Sequence, residues 1–502
     1  MQRTDLREGD AMKVLSITSE MYPLVKTGGL ADVCGALPAA LSQQGVEMRV
    51  LLPGYPSVLA AARHCGGPTP LDLPLGPAAL RRCTVAGATV WILDAPELYD
   101  RPGGPYQAAD GRDHGDNWKR FGLLAQAAAR IAAKGAEGWR PDIVHAHDWQ
   151  AGLVPAYLSA NAIPAPSVQT IHNIAFPGRF PAGIFGSLGL PSGFFDMYGV
   201  EFHGDVSFLK AGLYFADAIT TVSPTYAEEL TRPGFAHGFD GLIRDRAADV
   251  TGILNGIDTA EWDPAADRLI GRRFTPRSPG RRTENRRALG SAFALAEDSP
   301  LVSVISRLTH QKGIDLIFEA ADDIVARGFN LIVLGTGDPA LETAAHAVAT
   351  RHPGRVGVHI GHDEALAHRI QAGTDALLVP SRFEPCGLTQ LCALRYGALP
   401  VVAPTGGLID SVIDATPASL AAGVATGIHL RELSARGIGA ALDRLSAIMA
   451  DPDCHARMIR NAMCADVSWS ASAARYAALY AGLVAGRGRS RDSLSLSAAK
   501  RG

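Results

Sequence analysis

A carboxylate stands on a short loop between a predicted strand and a predicted helix. The segment Ser381–Leu391 reads S-R-F-E-P-C-G-L-T-Q-L, and its carboxylate is Glu384. The apolar run 376–380 predicts a buried parallel strand, and the apolar spacing from Leu388 onward predicts a helix. Ligands of open α/β sheets bind at the carboxyl ends of the strands. Glu384 is therefore a candidate catalytic group, and capping of the helix is the alternative interpretation.

The turn into this helix also suits an anion. The backbone N–H groups of Gly387, Leu388 and Thr389 lie at a helix N-terminus, where the macrodipole favours negative charge. A second strand-to-helix turn, S-R-L-T-H-Q-K-G, carries Arg307 and Lys312. An arginine fork and a lysine point charge suit a diphosphate. Such fixed cations would stabilise a leaving nucleotide diphosphate without a metal ion.

A glycine-rich turn occurs in each half of the chain. Lys26, Gly28 and Gly29 follow the predicted strand Val14–Thr18 and precede a predicted amphipathic helix. The glycines permit close approach of a ligand and the lysine adds a charge, although an ordinary strand-to-helix turn is the alternative. The pattern T-G-G-L-x-D recurs at 405–410. One such turn in each half predicts an α/β protein with two Rossmann-like sheets that face each other across a cleft.

Two further polar residues end predicted strands on one rim of the first sheet. Asp148 lies in H-A-H-D-W-Q at 145–150, and His172 ends the next strand. The two histidines of the first motif share a strand face and suggest a metal, but no third ligand motif stands near them. The D-x-D at 451–453 is typical of a helix N-terminal cap with proline at the first position. The sequence therefore predicts no metal site.

The composition is that of a globular protein. The chain has 502 residues, of which 47% are hydrophobic and 19% charged, enough for two to four domains. A formal net charge of −3 argues against a nucleic-acid partner. No apolar run approaches the roughly 20 residues that span a bilayer, and residues 1–11 are not a secretory signal. Seven cysteines without metal-ligand spacing indicate reduced thiols in a cytoplasmic protein.

The β-α alternation starts afresh at Leu301, which predicts a second domain. Before it, the run 271–287 carries seven arginines and indicates a solvated linker or loop at the start of the second domain. The predicted division is an extension at 1–11, a Rossmann-like domain at 12–258, a second at 259–465, a helix at 466–485 and a disordered tail at 486–502.

The sequence resembles bacterial glycogen synthases and plant starch synthases. The motifs that carry the resemblance are K-T-G-G-L-A-D-V, H-A-H-D-W-Q-A-G-L, F-L-K-A-G-L-Y-F-A-D, V-S-P-T-Y-A-E-E-L, L-N-G-I-D, S-R-L-T-H-Q-K-G and S-R-F-E-P-C-G-L-T-Q-L. They stand in the family's order over about residues 12–483. The resemblance implies a GT-B fold, ADP-glucose as donor, extension of an α-1,4-glucan with retention, and a terminal helix that crosses back to the first domain.

The resemblance also implies roles for individual residues. The residues implied to bind the donor are Lys26, Gly28, Gly29, Asn255, His362, Cys386, Gly387, Leu388 and Thr389. Those implied to act in catalysis are Asp148, His172, Arg307, Lys312 and Glu384, with Trp149 and Asn173 on the acceptor side. His362 departs from the tyrosine that the family often places against the adenine, although an imidazole can also stack. Retention in the family is usually described by departure and attack on the same face.

Other functions remain as alternatives. A different GT-B enzyme would use UDP-glucose or a small acceptor, and a non-catalytic paralogue would only bind glucan. A nicotinamide oxidoreductase is excluded because G-x-G-x-x-G does not follow the first strand. The expected partners are ADP-glucose and a glycogen primer, without a cofactor, a nucleic acid or a membrane. The oligomeric state is not specified by the sequence.

Overall fold

The structure is a computed structural model that describes residues 11–62, 65–297 and 299–486. These residues form two compact units. Unit 1 contains the described residues up to Val222, Ala227–Ile253 and those from Trp469 onward, and unit 2 contains Ser223–Tyr226 and Leu254–Ser468. The predicted domain limits stay predictions. Apart from Ala11 and Gly486, the predicted N-terminal extension and disordered tail lie outside the described residues.

Unit 1 is built on a large, mostly parallel sheet and a small antiparallel one. The strands of unit 1 are β1 (Met12–Ile17), β2 (Val46–Pro53), β3 (Thr69–Leu73), β4 (Gly76–Val85), β5 (Ala88–Asp94), β6 (Ile143–His147), β7 (Ser167–Ile171), β8 (Arg179–Phe180), β9 (Glu201–Phe202), β10 (Asp205–Ser207), β11 (Ala218–Thr221) and β12 (Val250–Gly252). The large sheet has the order β12-β11-β7-β6-β1-β2-β5-β4-β3, in which β4 pairs antiparallel with both β3 and β5 and therefore runs opposite to the other strands. The chain changes direction between β1 and β6, so the loops after these two strands flank the expected ligand crevice.

Helices pack on the large sheet, because apolar residues at the helical period form a stripe on one side of each helix that is buried by this packing. The helices of this part of the chain are α1 (Gly29–Ser42), α2 (Pro56–Ala61), α3 (Pro96–Tyr99), α4 (Asn117–Lys134), α5 (Leu153–Ala160), α6 (Phe208–Phe215), α7 (Pro224–Glu229), α8 (Pro233–Ala236) and α9 (Asp240–Asp245). The predicted helix after the first glycine turn is confirmed as α1, and its predicted stripe of Leu30, Val33, Leu37 and Leu41 is buried. This helix begins at Gly29, the last residue of the glycine-rich turn.

Unit 2 contains one parallel sheet with helices around it. Its strands are β13 (Leu301–Ile305), β14 (Asn330–Gly335), β15 (Val356–Ile360), β16 (Ala376–Val379), β17 (Leu399–Val402) and β18 (Ile428–His429). Its helices are α10 (Arg282–Ala292), α11 (Ile314–Glu319), α12 (Ala321–Ala326), α13 (Pro339–Arg351), α14 (Glu364–Gly373), α15 (Thr389–Tyr396), α16 (Gly407–Ser411), α17 (Pro417–Ala422), α18 (Ala435–Met449) and α19 (Pro452–Cys464). The order β15-β14-β13-β16-β17-β18 places the switch point between β13 and β16.

The predicted solvated linker or loop at 271–287 is wrong from Arg282 onward. Residues from Arg282 onward form α10, whose amphipathic face packs into unit 2. The Arg282 side chain is buried and donates to the carbonyl oxygen of Thr374, while Arg286 forms an ion pair with Asp375 at 3.1 Å. Charge counting failed here because long arginine side chains can bury their stems and bond backbone carbonyls.

The prediction that all cysteines are reduced is also wrong. Cys65 and Cys83 form a disulfide with their Cα atoms 4.3 Å apart. The backbone N–H of Gly66 donates to the carbonyl oxygen of Arg82, which places the two cysteines side by side on neighbouring segments. They are 18 residues apart in the sequence, so their spacing did not reveal the pairing. Cys34, Cys386 and Cys392 are buried and take no part in this disulfide.

The last described helix, α20 (Ser470–Ala485), packs in unit 1 against α1. Trp469, Ala473, Tyr476 and Tyr480 are buried there, and the hydroxyl of Tyr480 lies 2.8 Å from Nδ1 of His145 in β6. The predicted cap at 451–453 is confirmed, because the Asp451 carboxylate accepts from the backbone N–H groups of the next turn. Within the described ranges, no helix is long and apolar enough to cross a bilayer.

Candidate active site

The loops after β13 and β16 pack tightly on each other at the switch point of unit 2. Gly313 has φ +68°, and a β-carbon there would lie 2.0 Å from the carbonyl oxygen of Pro380. The N–H of Arg382 donates to the carbonyl oxygen of Gln311 at 2.9 Å, and the Gln311 side-chain amide donates to Phe383 at 3.1 Å. The two motifs that the sequence analysis treated separately therefore form one local structure, and glycine is required where they touch.

Glu384 and Lys312 form an ion pair within this structure. Lys312 Nζ lies 2.5 Å from Glu384 Oε2, and Ser381 Oγ donates to the same oxygen at 3.0 Å. The Glu384 side chain is 6% exposed and that of Lys312 is 20% exposed. The helix-cap interpretation of Glu384 is wrong, because α15 begins after Leu388 and has no side-chain cap. A buried carboxylate held by a cation and a hydroxyl is a built polar site.

Arg307, on the same loop, has a different environment. Its side chain is exposed, and no ion pair or hydrogen bond joins it to another residue that the structure describes. The neighbouring Arg382, in contrast, holds Asp315 with two bonds of 2.7 and 2.6 Å, and this arginine lowers the pKa of the Asp315 carboxyl. The guanidinium of Arg307 is therefore available to a ligand, whereas that of Arg382 braces the loop.

Cys386 and Asn255 lie beside the Glu384 segment. Burial raises the pKa of the Cys386 thiol to about 12, so it is protonated at neutral pH, and Asn255 hydrogen-bonds to it. Oδ1 of Asn255 is buried and has no hydrogen-bond partner among the described residues. An unsatisfied buried carbonyl is costly, and a donor such as a sugar hydroxyl would satisfy it. Gly387, with φ +73°, follows Cys386 and leads into α15.

The second T-G-G turn packs against the back of the Glu384 segment. Gly406 has φ +45°, and a β-carbon there would lie 2.0 Å from the Glu384 carbonyl oxygen. A β-carbon on Gly407 would lie 2.5 Å from Cys386 Cα. Both positions need glycine for the packing of the protein itself. This turn opens a helix as predicted, but its glycines support the site from behind.

The tetrapeptide Ser223–Tyr226 also braces this segment, and the sequence analysis missed it. Ser223 Oγ donates to the carbonyl oxygen of Pro385 at 2.6 Å. Thr225 donates its N–H and its hydroxyl to the Asp410 carboxylate at 2.8 and 2.7 Å. The motif V-S-P-T-Y carried the family resemblance, but its bonding partners lie more than 150 residues away and no local pattern marks them.

In unit 1, the loop after β1 is organised by Glu20, a further residue that the sequence analysis missed. Its side chain accepts hydrogen bonds from the Thr27 N–H and hydroxyl at 2.5 Å each, from the Gly28 N–H at 3.2 Å and from the Tyr106 hydroxyl. Glu20 is 2% exposed. A buried carboxylate that accepts several N–H and O–H bonds rigidifies a loop. Glu20 therefore sets the shape of the glycine turn.

The glycine turn itself is open at its first glycine. Gly28 has extended dihedral angles that any residue adopts, and a β-carbon there would meet no atom of the described residues within 4 Å beyond its chain neighbours. The packing of the described residues therefore does not require glycine at this position. Lys26 lies beside the turn, with Nζ 2.8 Å from Oδ1 of Asp32. Gly29 is the first residue of α1.

The loop after β6 carries Asp148 in a positive-φ conformation, with φ +53°. Its Oδ1 accepts from the backbone N–H groups of His172 and Asn173 at 2.7 and 3.3 Å. Burial raises the pKa of Asp148 to about 7, and the nearby Glu20 charge adds to the rise. The structure thus joins three predicted residues, Asp148, His172 and Asn173. Trp149 packs edge-on against Phe121 with ring centroids 4.9 Å apart.

Three histidines lie beside Asp148, of which His145 and His147 are buried and His172 is half-buried. His147 bonds to Ser16 Oγ at 3.1 Å and, through Nδ1, to His172 Nε2 at 3.0 Å. His145 bonds to the hydroxyls of Tyr480 and Thr170. Burial lowers the pKa of His145 and of His172 to about 3, so these rings are neutral. Both ring nitrogens of His145 and of His147 have hydrogen-bond partners in the protein, so neither histidine offers an unoccupied nitrogen to a metal ion.

Among the residues that the structure describes, His362 forms no hydrogen bond or ion pair with those discussed above. Its side chain is 72% exposed, and its Nε2 lies 3.6 Å from Oε2 of Glu364. Leu388 and Thr389 form the start of α15. The predicted roles of all these residues stay predictions, since contacts within the protein do not show what they bind.

Two family descriptions match the chain. "Starch synthase catalytic domain" matches residues 13–245, and "Glycosyl transferases group 1" matches residues 285–463. A glycogen synthase of Mesorhizobium japonicum is 52% identical over 473 residues, which cover 93% of this chain and 98% of that protein. One from Acidiphilium cryptum is 53% identical, with 94% and 99% covered. The chain belongs to the glycogen synthase and starch synthase family.

Solved structures agree with this family. The catalytic domain of starch synthase IV from Arabidopsis thaliana, bound to ADP and acarbose, has a TM-score of 0.86 and 30% identity, with 95% of this chain and 100% of that chain covered. A sucrose-phosphate synthase from Thermosynechococcus elongatus, at 18% identity and a TM-score of 0.59, shows the fold alone. The predicted two-domain GT-B fold and the predicted glycosyltransferase class are confirmed for this member of the glycogen synthase family.

Proposed function

We propose that this enzyme transfers glucose from ADP-glucose to the non-reducing end of an α-1,4-glucan such as glycogen, with retention and release of ADP. The reaction breaks the bond between the anomeric carbon and the diphosphate oxygen and forms a new glycosidic bond to the acceptor hydroxyl. The acceptor proton leaves with the diphosphate or with a protein base. The protein must bind the diphosphate, hold the glucose and stabilise the positive charge that develops on it.

The observation that carries this proposal is the Lys312–Glu384 pair at the switch point of unit 2. A diphosphate bound by the free guanidinium of Arg307 would share Lys312 with Glu384. The Glu384 carboxylate would then stabilise positive charge at the sugar. The unpartnered Oδ1 of Asn255 would accept a sugar hydroxyl, and the protonated Cys386 thiol would contact the glucose without reacting. Gly387, Leu388 and Thr389 offer N–H groups to the phosphates.

Residues of unit 1 are proposed to bind the phosphates and the acceptor. We assign Lys26, Gly28 and Gly29 to phosphate oxygens, because the open space at Gly28 admits a ligand. Asp148, with its pKa raised to about 7, can hold a proton near neutral pH and is a candidate to receive one from an acceptor hydroxyl. The neutral His172 and the side chains of Trp149 and Asn173 are assigned to sugar hydroxyls and sugar rings. His362 is assigned to the adenine, by stacking.

Transfer is proposed to need no metal ion, because Arg307 and Lys312 provide the countercharge of the leaving diphosphate. Turnover measured well below the melting temperature should therefore persist in excess EDTA. A loss that magnesium or manganese restores would contradict this assignment. The enzyme is proposed to act in the cytoplasm, without a nucleic-acid or membrane partner.

The decisive experiment measures release of nucleoside diphosphate from ADP-glucose and UDP-glucose, each with and without glycogen. The expected result is glycogen-dependent release of ADP, with a smaller kcat/KM for UDP-glucose. Faster release of UDP would favour the alternative donor, and its physical reason would be the exposed His362. Release with neither donor, despite measurable glucan binding, would favour the non-catalytic alternative.

A further inference from the structure

A group of metal-binding side chains lies in unit 2 outside the loops after β13 and β16. Glu261, Glu364 and His368 each offer one ligand atom, a carboxylate oxygen or a ring nitrogen, and these atoms lie within 4.8 Å of one another. The sequence analysis did not predict it, because Glu261 is about a hundred residues from the other two along the chain.

A helix and a loop bring the three residues together. Glu364 is the first residue of α14 and His368 lies four residues later, so both side chains project from one face of the helix. Glu261 lies in a turn held by Asp258, whose Oδ1 accepts from the N–H of Glu261 at 3.3 Å and from that of Ala260 at 2.8 Å. The two carboxylates are half-buried, whereas His368 is buried.

His368 is prepared as a ligand. Its Nδ1 lies 2.8 Å from Oδ2 of Asp267, and the two side chains are 2% and 3% exposed. Oδ2 of Asp267 also accepts from the Tyr396 hydroxyl at 2.6 Å. Because the Asp267 carboxylate accepts a hydrogen bond, the proton of the imidazole lies on Nδ1. Nε2 therefore carries a lone pair. The Trp262 ring stacks on the imidazole, with ring centroids 3.9 Å apart and an angle of 12° between the ring planes. This stacking fixes the plane of the imidazole.

The remaining nitrogen of this ring is unsatisfied. Nε2 of His368 is buried and has no hydrogen-bond partner within the described part of the chain. An unmet buried polar atom requires an explanation. A histidine whose other nitrogen donates to a carboxylate is the usual arrangement of a metal ligand, since the carboxylate fixes the tautomer and raises the basicity of the ring.

We propose that Glu261, Glu364 and Nε2 of His368 bind one divalent transition-metal ion of the Zn²⁺ or Mn²⁺ type, with water completing its coordination. One imidazole and two carboxylates suit these ions, whereas Mg²⁺ and Ca²⁺ prefer oxygen ligands alone. Ligand atoms around tetrahedral Zn²⁺ lie roughly 3.4 Å apart. The two carboxylates are half-buried and can move to this spacing, and the ion removes the repulsion between them.

The site is structural. It ties the segment from Asp258 to Asp267 to α14, and it shares no residue with the Lys312–Glu384 pair. Loss of the ion should therefore lower the thermal stability of the protein without ending glucose transfer. This separates the proposal from the proposed function, because metal binding and melting are measured without any substrate.

The test uses the full chain, treated with EDTA and then freed of it. Binding of Zn²⁺ and of Mn²⁺ is titrated calorimetrically, and melting is followed with and without each ion. Mn²⁺ is included because the exposed thiol of Cys464 binds it poorly compared with Zn²⁺. One equivalent of each ion should bind, and each ion should raise the melting temperature of the parent protein.

Variants identify the site. Glu261→Gln keeps the shape of the side chain and removes a ligand charge, so affinity for both ions should fall at least tenfold and the melting shift should disappear. Glu261→His restores a ligand and should restore binding. Glu432→Gln, at an exposed glutamate of the same unit, should behave as the parent does. No binding by the parent, or equal binding by Glu261→Gln, would overturn the proposal.

Discussion

Nζ of Lys312 lies 2.5 Å from Oε2 of Glu384, and this ion pair joins two strand ends of unit 2 without help from a ligand. Each partner satisfies the charge of the other within the protein itself. In the proposed function, a diphosphate would therefore compete with Glu384 for Lys312, whereas the exposed Arg307 is not engaged by any described residue. We infer that Arg307 contributes more to ground-state affinity, and that Lys312 orients Glu384 and responds to the charge of the leaving group.

The first prediction is that Glu384→Gln lowers kcat by two to three powers of ten. The amide keeps the shape and the bond from Ser381 but loses the charge, and a transition-state contact of about 3–4 kcal/mol corresponds to that factor. Affinity for ADP should change much less, because the carboxylate acts on the sugar. The measurements are kcat, ADP affinity and melting temperature on one preparation.

The matched control for this variant is Glu319→Gln, at an exposed glutamate on α11 near the same loops. It should leave all three quantities unchanged. A folded Glu384→Gln enzyme that keeps more than about a tenth of the parent kcat would reject the catalytic role.

The second prediction concerns Glu20, which accepts hydrogen bonds from the backbone N–H groups of Thr27 and Gly28. Glu20→Gln points an amide NH₂ toward N–H donors and leaves at least one of them unsatisfied. The free energy of unfolding should therefore fall by about 1–3 kcal/mol. The glycine turn should also lose its shape, and ADP affinity should fall. Urea unfolding and ADP titration measure the two effects.

Glu97→Gln, at an exposed glutamate on α3, is the control for a lost surface charge. Tyr106→Phe removes one of the donors to Glu20 and should give a smaller effect in the same direction. If Glu20→Gln is as stable as Glu97→Gln, the carboxylate does not hold the turn.

Local patterns along the chain predicted the βα alternation of both halves, although not α10 or the small antiparallel sheet. The period of α1 and the cap at Asp451 were both visible in the sequence, and the structure contains them. The two T-G-G-L-x-D turns indicated two sheets, and the structure has one such turn before a helix of each unit, at α1 and at α16.

The supports of the site could not be predicted, because they depend on contacts between distant segments. Glu20 resembles any loop glutamate until Tyr106, in another loop, is placed beside it. The two T-G-G turns are alike in sequence, but one glycine faces open space and the other faces the Glu384 backbone. The disulfide and the buried Arg282 were missed for the same reason, since composition carries no information on which residues meet in three dimensions.

The third prediction follows from the raised pKa of Asp148. Its folded-state pKa is about 7 and its unfolded value is about 4, so its protonated form stabilises the fold at low pH. This contribution is lost as the pH rises from about 4 through about 7. His145 and His172, with folded pKa values of about 3, act oppositely: their contribution is present above about pH 6.5 and is lost as the pH falls.

Asp148→Asn isolates the contribution of the aspartate. The amide oxygen can still accept from the N–H groups of His172 and Asn173, but it carries no charge at any pH. The urea midpoint of the variant relative to the parent should therefore increase between about pH 4 and about pH 7 and stay constant above. Asp72→Asn, at an exposed aspartate on β3, should show no such trend. A difference for Asp148→Asn that does not depend on pH would contradict the raised pKa.

The last prediction compares the two T-G-G turns with one substitution in each. In Gly28→Ala the new methyl group meets no atom of the described residues within 4 Å beyond its chain neighbours and the backbone is extended, so the melting temperature should match that of the parent. If the open space admits phosphate, ADP affinity should nevertheless fall about tenfold, which is about 1.4 kcal/mol. In Gly406→Ala the methyl group would lie 2.0 Å from the Glu384 carbonyl oxygen at φ +45°, so the protein should melt at a much lower temperature. Gly28→Ala with unchanged ADP affinity would show that no ligand approaches Gly28, and equal melting of both variants would show that the second turn does not support the Glu384 segment.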